Sequence, residues 1–283
     1  MTIRHSDDDP QLAVRAAQSG AAVVRDMYGS SLARYAKGAG DFATAADVAA
    51  EQAILDVLRA ARPEDAVTGE ESGATGEADA GRRWLVDPLC GTLNYAVRTP
   101  LVAVNVALRV GAGVTAAASA DPFSGEVFWT DGARAFVRRD GSEGRRSKGG
   151  SEATDEELTP SADSRLVDVN LDPPFPNAPG FRTAQLLNSP AFIADYRPRV
   201  VSSTIAVAWV AAGRRAAYVT DGHQGDSVHF AAGIALCKAA GCVVTGIHGQ
   251  PVDSGAGGLV VAADAPTHSA LLAMIRAQLP DRP

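Results

Sequence analysis

Apolar residues recur at helical spacing through the N-terminal part of the chain. In QLAVRAAQSGAAVVRDMYGSSLARYA, residues 11–36, and in AADVAAEQAILDVLRAARP, residues 45–63, they return every three or four positions. This predicts two amphipathic helices, the second stopped by Pro63. The period then changes. RRWLVD, residues 82–87, reads as a short strand halted by Pro88. In VAVNVALRV, residues 102–110, Val104, Val106, Leu108 and Val110 alternate with Ala103, Asn105, Ala107 and Arg109, the period of a half-buried strand. GVTAAASADP, GEVFWTD and ARAFVRRD follow, separated by Gly, Pro and Asp, and extend the pattern into a meander.

Residues 140–163, DGSEGRRSKGGSEATDEELTPSAD, break both periods. Their polar, low-complexity composition predicts a flexible loop. Beyond it RLVDVNL, AAYVT and GLVVAAD read as strands. SSTIAVAWVAAG, SVHFAAGIALCKAAG and THSALLAMIRAQL read as helices. The expected organisation is an N-terminal α/β lobe (1–140), a flexible polar segment (141–163) and a C-terminal α/β lobe (164–283) that completes a site between them.

Composition narrows the function classes. Basic and acidic residues number 26 and 33, giving a net charge of -7, and the arginines are scattered. Nucleic acid is therefore not an expected partner. No stretch reads as a membrane span or a secretory signal, and three cysteines make no disulfide framework. A cytoplasmic protein acting on a small molecule is expected. Cys237 and Cys242 read as core residues, and Trp84, Trp129 and Trp209 as packing residues.

Candidate chemistry lies beside turns. Asp47 in ATAAD, Glu70 and Glu71 in TGEESG, and Asp87 and Thr92 in VDPLCGT are oxygen donors at element ends, where a hard divalent cation finds its ligands. Taken singly, each has a structural reading. Thr44-x-x-Asp47 is a capping-box pattern, GEESG an acidic turn, and DPLCGT a strand end with a tight turn.

Their order carries more than any one of them. A T-x-x-D helix start, then G-E-E-S, then D-P-x-x-G-T-x-N-Y, then a distal A-A-G helix resembles the signature series of the inositol monophosphatase-like family. The resemblance spans nearly the whole chain. It implies a two-lobed α/β/α/β/α sandwich, Mg²⁺-dependent hydrolysis of small phosphomonoesters, and a homodimer. It also implies that Glu70, Asp87 and the Leu89 carbonyl hold a metal. Thr92 and Asp47 would orient the attacking water, and the amides of Gly91 and Thr92 would face the phosphate. Lys37 falls where the family often has a basic residue near the metal water.

Two departures coincide. The family's D-P-x-D-G-T reads DPLCGT here, and its W-D-x-A-A-G reads VHFAAG, so Cys90 and His229 stand where aspartates for a second metal are expected. Positions that grip one ion place their ligand atoms about 3–4 Å apart, so Cys90 and His229 should meet. Three readings follow. One is a catalytically dead protein with a binding role. Another is a phosphatase that binds Mg²⁺ weakly or not at all, with Asp87, Cys90 and His229 offering a three-ligand Zn²⁺ site. The third is the expected one, because it explains both substitutions by one cause: a Cys90 nucleophile, activated by a helix N-terminus and by His229 as base, with Asp87 or Asp226 orienting the imidazole, performing acyl or thioester-type transfer or hydrolysis.

Overall fold

The computed structural model describes residues 8–38, 41–139, 154–171, 181–222, 224, 227–255 and 257–279. In chain order the elements are α1 (Asp9–Met27), β1 (Arg34–Gly38), β2 (Asp41–Thr44), α2 (Ala45–Ala61), β3 (Ala66–Gly69), β4 (Gly73–Thr75), β5 (Arg82–Cys90), α3 (Thr92–Ala96), β6 (Ala103–Val110), β7 (Gly113–Ala120), β8 (Glu126–Thr130), β9 (Ala135–Arg139) and β10 (Thr154–Glu157). The remainder comprises β11 (Leu166–Asn170), α4 (Pro190–Asp195), β12 (Arg197–Val200), α5 (Ile205–Ala211), β13 (Ala217–Thr220), α6 (Ala231–Ala239), β14 (Val243–Thr245), β15 (Leu259–Ala262) and α7 (Ala265–Arg276).

Two mixed sheets organise the described residues. One has the order β10-β9-β8-β7-β6-β5-β3-β4, the other β12-β11-β13-β15-β14. Side-chain alternation sorts them into layers. Val86, Val104, Val106 and Leu108 pack under Leu12, Ala16, Ile54 and Leu58 of α1 and α2. The opposite face of the first sheet, with Ala103 and Phe128, shares a core with α5, α6 and the Tyr218 and Val261 face of the second sheet. Val167, Val169, Val219 and Val260 turn the other way, onto α4 and α7 through Phe192, Leu271 and Ile275. The result is the expected α/β/α/β/α sandwich, with the middle helices common to both sheets.

Four local expectations are corrected. The first helix stops at Met27, and residues 34–38 form β1. Strand β5 does not stop at Pro88; it runs to Cys90 with a register shift against β6 between Asp87 and Cys90. Such a bulge accommodates a missing N–H and re-aims the side chains that follow. Within the segment expected to be flexible, residues 154–157 form β10, antiparallel to β9, and Leu158 is buried. Its other part, 140–153, lies outside the described residues. Finally, α6 begins at Ala231, so His229 sits in the turn that precedes it. No helix among the described residues is long and apolar enough to cross a membrane.

Candidate active site

The cleft is assembled from element ends. Thr44 caps α2, and the capping box and the catalytic-type contact are made by different oxygens of one carboxylate. Asp47 Oδ2 accepts from the Thr44 N–H (2.8 Å) and hydroxyl (2.6 Å), while Oδ1 accepts from the Thr92 hydroxyl at 2.8 Å. The Thr92 oxygen also lies 3.1 Å from the Leu89 carbonyl. Burial raises Asp47 above the ordinary carboxylate range, against the lowering effect of the Thr44 and Thr92 hydrogen bonds. The cap and the contact with Thr92 coexist on one carboxylate.

Thr92 opens α3 behind Gly91, whose φ of +101° is a left-handed conformation. A Cβ there would meet the Leu101 carbonyl oxygen at 2.9 Å, so both backbone and space require glycine.

Glu70 follows β3, and its N–H donates to the Val86 carbonyl of β5 at 3.0 Å, which brings the GEES turn beside Asp87. The turn is held by Glu51, a residue that no motif singled out. Its buried carboxylate accepts from the N–H groups of Glu71 (2.9 Å) and Ser72 (2.8 Å). Lys37 reaches in from β1 and donates to Glu70 at 2.8 Å and Glu71 at 2.6 Å. Despite burial, these carboxylates raise the Lys37 ammonium above its usual value.

Asp87 is fully buried and well supplied with donors: the Leu89 N–H (3.2 Å), the Asn105 amide (3.4 Å) and His229 Nδ1 (2.9 Å). Burial opposes its ionisation, but the His229 charge and hydrogen bond outweigh this and hold it below the ordinary aspartate value. His229 responds in kind. Burial lowers it, Asp87 more than compensates, and it is raised to about 9. Glu70 Oε2 lies 3.8 Å from the same ring nitrogen. Burial and the Asp87 charge raise Glu70 to about 8, against His229 and Lys37. Asn105, the polar residue within the VAVNVAL alternation, also donates to Thr204 Oγ1 at 2.8 Å and accepts from Ser119 at 2.8 Å. Its position among apolar neighbours was the available signal.

Cys90 and His229 lie near one another. With Asp87 they form a trio whose ligand atoms lie within 4.8 Å of one another. The chemistry expected of a Cys90 nucleophile does not follow. Burial, then the charge of Asp87, pushes the thiol well above its usual value, against hydrogen bonding with Thr204, whose N–H donates to the sulfur at 3.4 Å. The helix that was to stabilise a thiolate is five residues long, and His229, raised to about 9, is protonated at neutral pH and holds no lone pair for a base. Asp226, the other candidate for orienting the imidazole, lies outside the described residues.

Comparisons with known proteins bear on the family and the fold. Residues 7–281 match the model of the Inositol monophosphatase family. The chain is 31% identical to an inositol-1-monophosphatase of Caulobacter vibrioides over 246 residues, 85% of this chain and 90% of the relative. It is 32% identical to Nus factor SuhB of Escherichia coli K12 over 283 residues, covering 95% of this chain and 96% of the relative. The crystal structure of the extragenic suppressor protein suhB from Bartonella henselae superposes with a TM-score of 0.77 at 25% identity, covering 94% of this chain and 97% of that one. From its ordered motifs, its layers and these likenesses, the chain belongs to the inositol monophosphatase family.

Proposed function

We propose that this protein is a metal-dependent hydrolase of small phosphomonoesters, of the inositol phosphate type named in its relatives, with a remodelled second metal position. The observation that carries the reading is the Thr92–Asp47 hydrogen bond beside two carboxylates.

The donor set suits the expected metal. Glu70, Asp87 and the Leu89 carbonyl offer oxygen atoms only, which a hard cation such as Mg²⁺ prefers. Bound there, Mg²⁺ would supply positive charge that acidifies water and stabilises developing phosphoryl charge. Its affinity should be weak, because the Cys90 and His229 positions carry no carboxylate and Lys37 competes for Glu70. Asp87, Cys90 and His229 form a mixed oxygen, sulfur and nitrogen set that suits a softer ion such as Zn²⁺.

The protein's own residues account for the proton. With its hydrogen committed to Asp47 Oδ1, the Thr92 oxygen turns a lone pair toward the cleft. A water held there passes its proton to Thr92 as Thr92 passes its own to Asp47. Burial, which raises Asp47, favours that acceptance. The Gly91 and Thr92 amides receive the phosphate oxygens. The three cysteines are free, which accords with a cytoplasmic protein. The family resemblance also leads us to expect a homodimer, with exposed Leu93 on α3 and Val97 just after it available for a contact.

Phosphate release from inositol 1-phosphate and 4-nitrophenyl phosphate, in Mg²⁺ or Zn²⁺ and after chelation, tests the reading. Metal-dependent release that Thr92→Ala removes is the expected result. Release that persists in chelator would refute it.

A further inference from the structure

A small cavity of about 190 Å³ lies between the turn after α1, the start of β1 and the end of α3. Sites for drug-sized ligands run to roughly 300–1,000 Å³, so this one suits a compact group. None of Glu70, Asp87, Cys90 and His229 lines it, and its lining holds no carboxylate. In a chain of net charge -7 it is lined instead by two arginines, Arg34 and Arg98.

Each guanidinium is fixed by an uncharged contact. Arg34 lies over the Phe42 ring, 4.9 Å from its centroid, a contact that uses the charge and none of the N–H donors. Arg98 donates from one terminal nitrogen to the Gly29 carbonyl at 3.1 Å. Neither is paired with a carboxylate among the described residues. Arg98 also has a φ of +63°, a left-handed conformation that favours glycine. An arginine is therefore held there against the steric preference of its backbone, as side chains at binding sites often are. Ser30 and Ser31 line the same cavity and bring hydroxyl groups to it. Two cations and two hydroxyls around a space without a carboxylate are the donor set of a phosphate group, whose oxygens accept from guanidinium in pairs.

We propose that this cavity binds a phosphate group, free or carried by a small phosphomonoester, between Arg34 and Arg98. Its wall includes Thr44, whose N–H and hydroxyl donate to Asp47 at 2.8 and 2.6 Å. An occupant therefore lies behind the capping box of α2, at a place separate from the Glu70 and Asp87 carboxylates.

Isothermal titration calorimetry in metal-free buffer of low ionic strength, with inorganic phosphate and phenyl phosphate as probes, tests the proposal apart from phosphatase activity. At least one probe should bind at millimolar concentration or below. Tighter binding of phosphate assigns the site to the free anion, and tighter binding of phenyl phosphate assigns it to a phosphomonoester. Arg34→Gln and Arg98→Gln should each weaken that binding about tenfold, the loss of one charge-assisted contact. Arg59→Gln, at an exposed position toward the far end of α2, should leave it within about twofold, because the same charge is lost away from the cavity. If Arg98→Gln fails to fold for want of its bond to Gly29, Arg34→Gln, at an exposed position of β1, still decides the matter. Absence of heat with either probe at millimolar concentration would overturn the proposal. So would binding that Arg34→Gln leaves unchanged, or that Arg59→Gln weakens as much.

Discussion

Asp87 and Asp168 are both fully buried aspartates on sheet strands, each paired with a cationic side chain, yet their carboxylates behave oppositely. Asp87 has donors on both oxygens, from the Leu89 backbone, Asn105 and His229, and stays below the ordinary aspartate value. Asp168 receives Arg215 Nε on Oδ2 at 2.8 Å, while its Oδ1 has no partner among the described residues. Burial then prevails over Arg215 and raises it to about 6. A neighbouring cation alone does not keep a buried carboxylate ionised; the number of donors that reach it matters as much. Under the proposed function Asp87 meets a cation, whereas Asp168 is an ion pair within a packed layer.

Neutralising each residue should separate these roles. Asp87→Asn should lower kcat/KM for phosphate release by about 10⁴-fold, in line with metal stabilisation worth several kcal/mol, while Asp168→Asn should leave it within about twofold. Steady-state kinetics on folded variants decides this, and a comparable loss in Asp168→Asn would erase the distinction.

Removing the cation from the structural pair should affect folding instead. Arg215→Met strands a buried carboxylate, and urea unfolding at pH 7 should show a loss of about 3–5 kcal/mol. Unchanged stability would mean that water already reaches Asp168.

The proposed second metal position can be tested by placing there the aspartates that the family resemblance leads one to expect. Cys90→Asp with His229→Asp should raise Mg²⁺-supported turnover about 10–100-fold, because two carboxylates restore affinity for a second hard ion. Either change alone should do little. A large effect of one single variant would separate Cys90 from His229 functionally.

The smallest effect concerns pH. The folded value of Asp168, about 6, lies above its unfolded 3.8. Its contribution to stability is therefore fully present below pH 3.8 and is lost as pH rises through about 6, because the native state holds the extra proton. Between those limits the wild-type unfolding free energy should fall more steeply with rising pH than that of Asp168→Asn. Parallel curves would contradict the assignment.

Much of this was legible in the sequence, for identifiable reasons. The alternation in VAVNVALRV and the helical spacing in AADVAAEQAILDVL follow from one-sided burial, which the sandwich supplies. Strand β10 was not legible, because TDEE has no apolar alternation. It is held by β9 through Arg138–Asp155 at 2.7 Å and the Arg139–Glu156 pair. The meeting of Cys90 with His229 could be inferred from two motifs that serve one ion. Their protonation could not, since it depends on burial and on the direction of the Asp87 carboxylate. Glu51 was hidden because an acidic residue on an amphipathic helix ordinarily faces solvent, and this one turns inward to hold the GEES backbone.

The account's central claim is that catalysis runs through Thr92 and Asp47 with a metal, and not through the Cys90 thiol. The most direct measurement compares phosphate release by wild type, Cys90→Ala and Thr92→Ala at saturating Mg²⁺, each with and without chelator. The account predicts metal-dependent release by wild type, retained within several-fold by Cys90→Ala and lowered about 10²–10⁴-fold in Thr92→Ala, the usual range for loss of a positioned proton acceptor. Wild-type turnover that survives chelation and disappears in Cys90→Ala would contradict it.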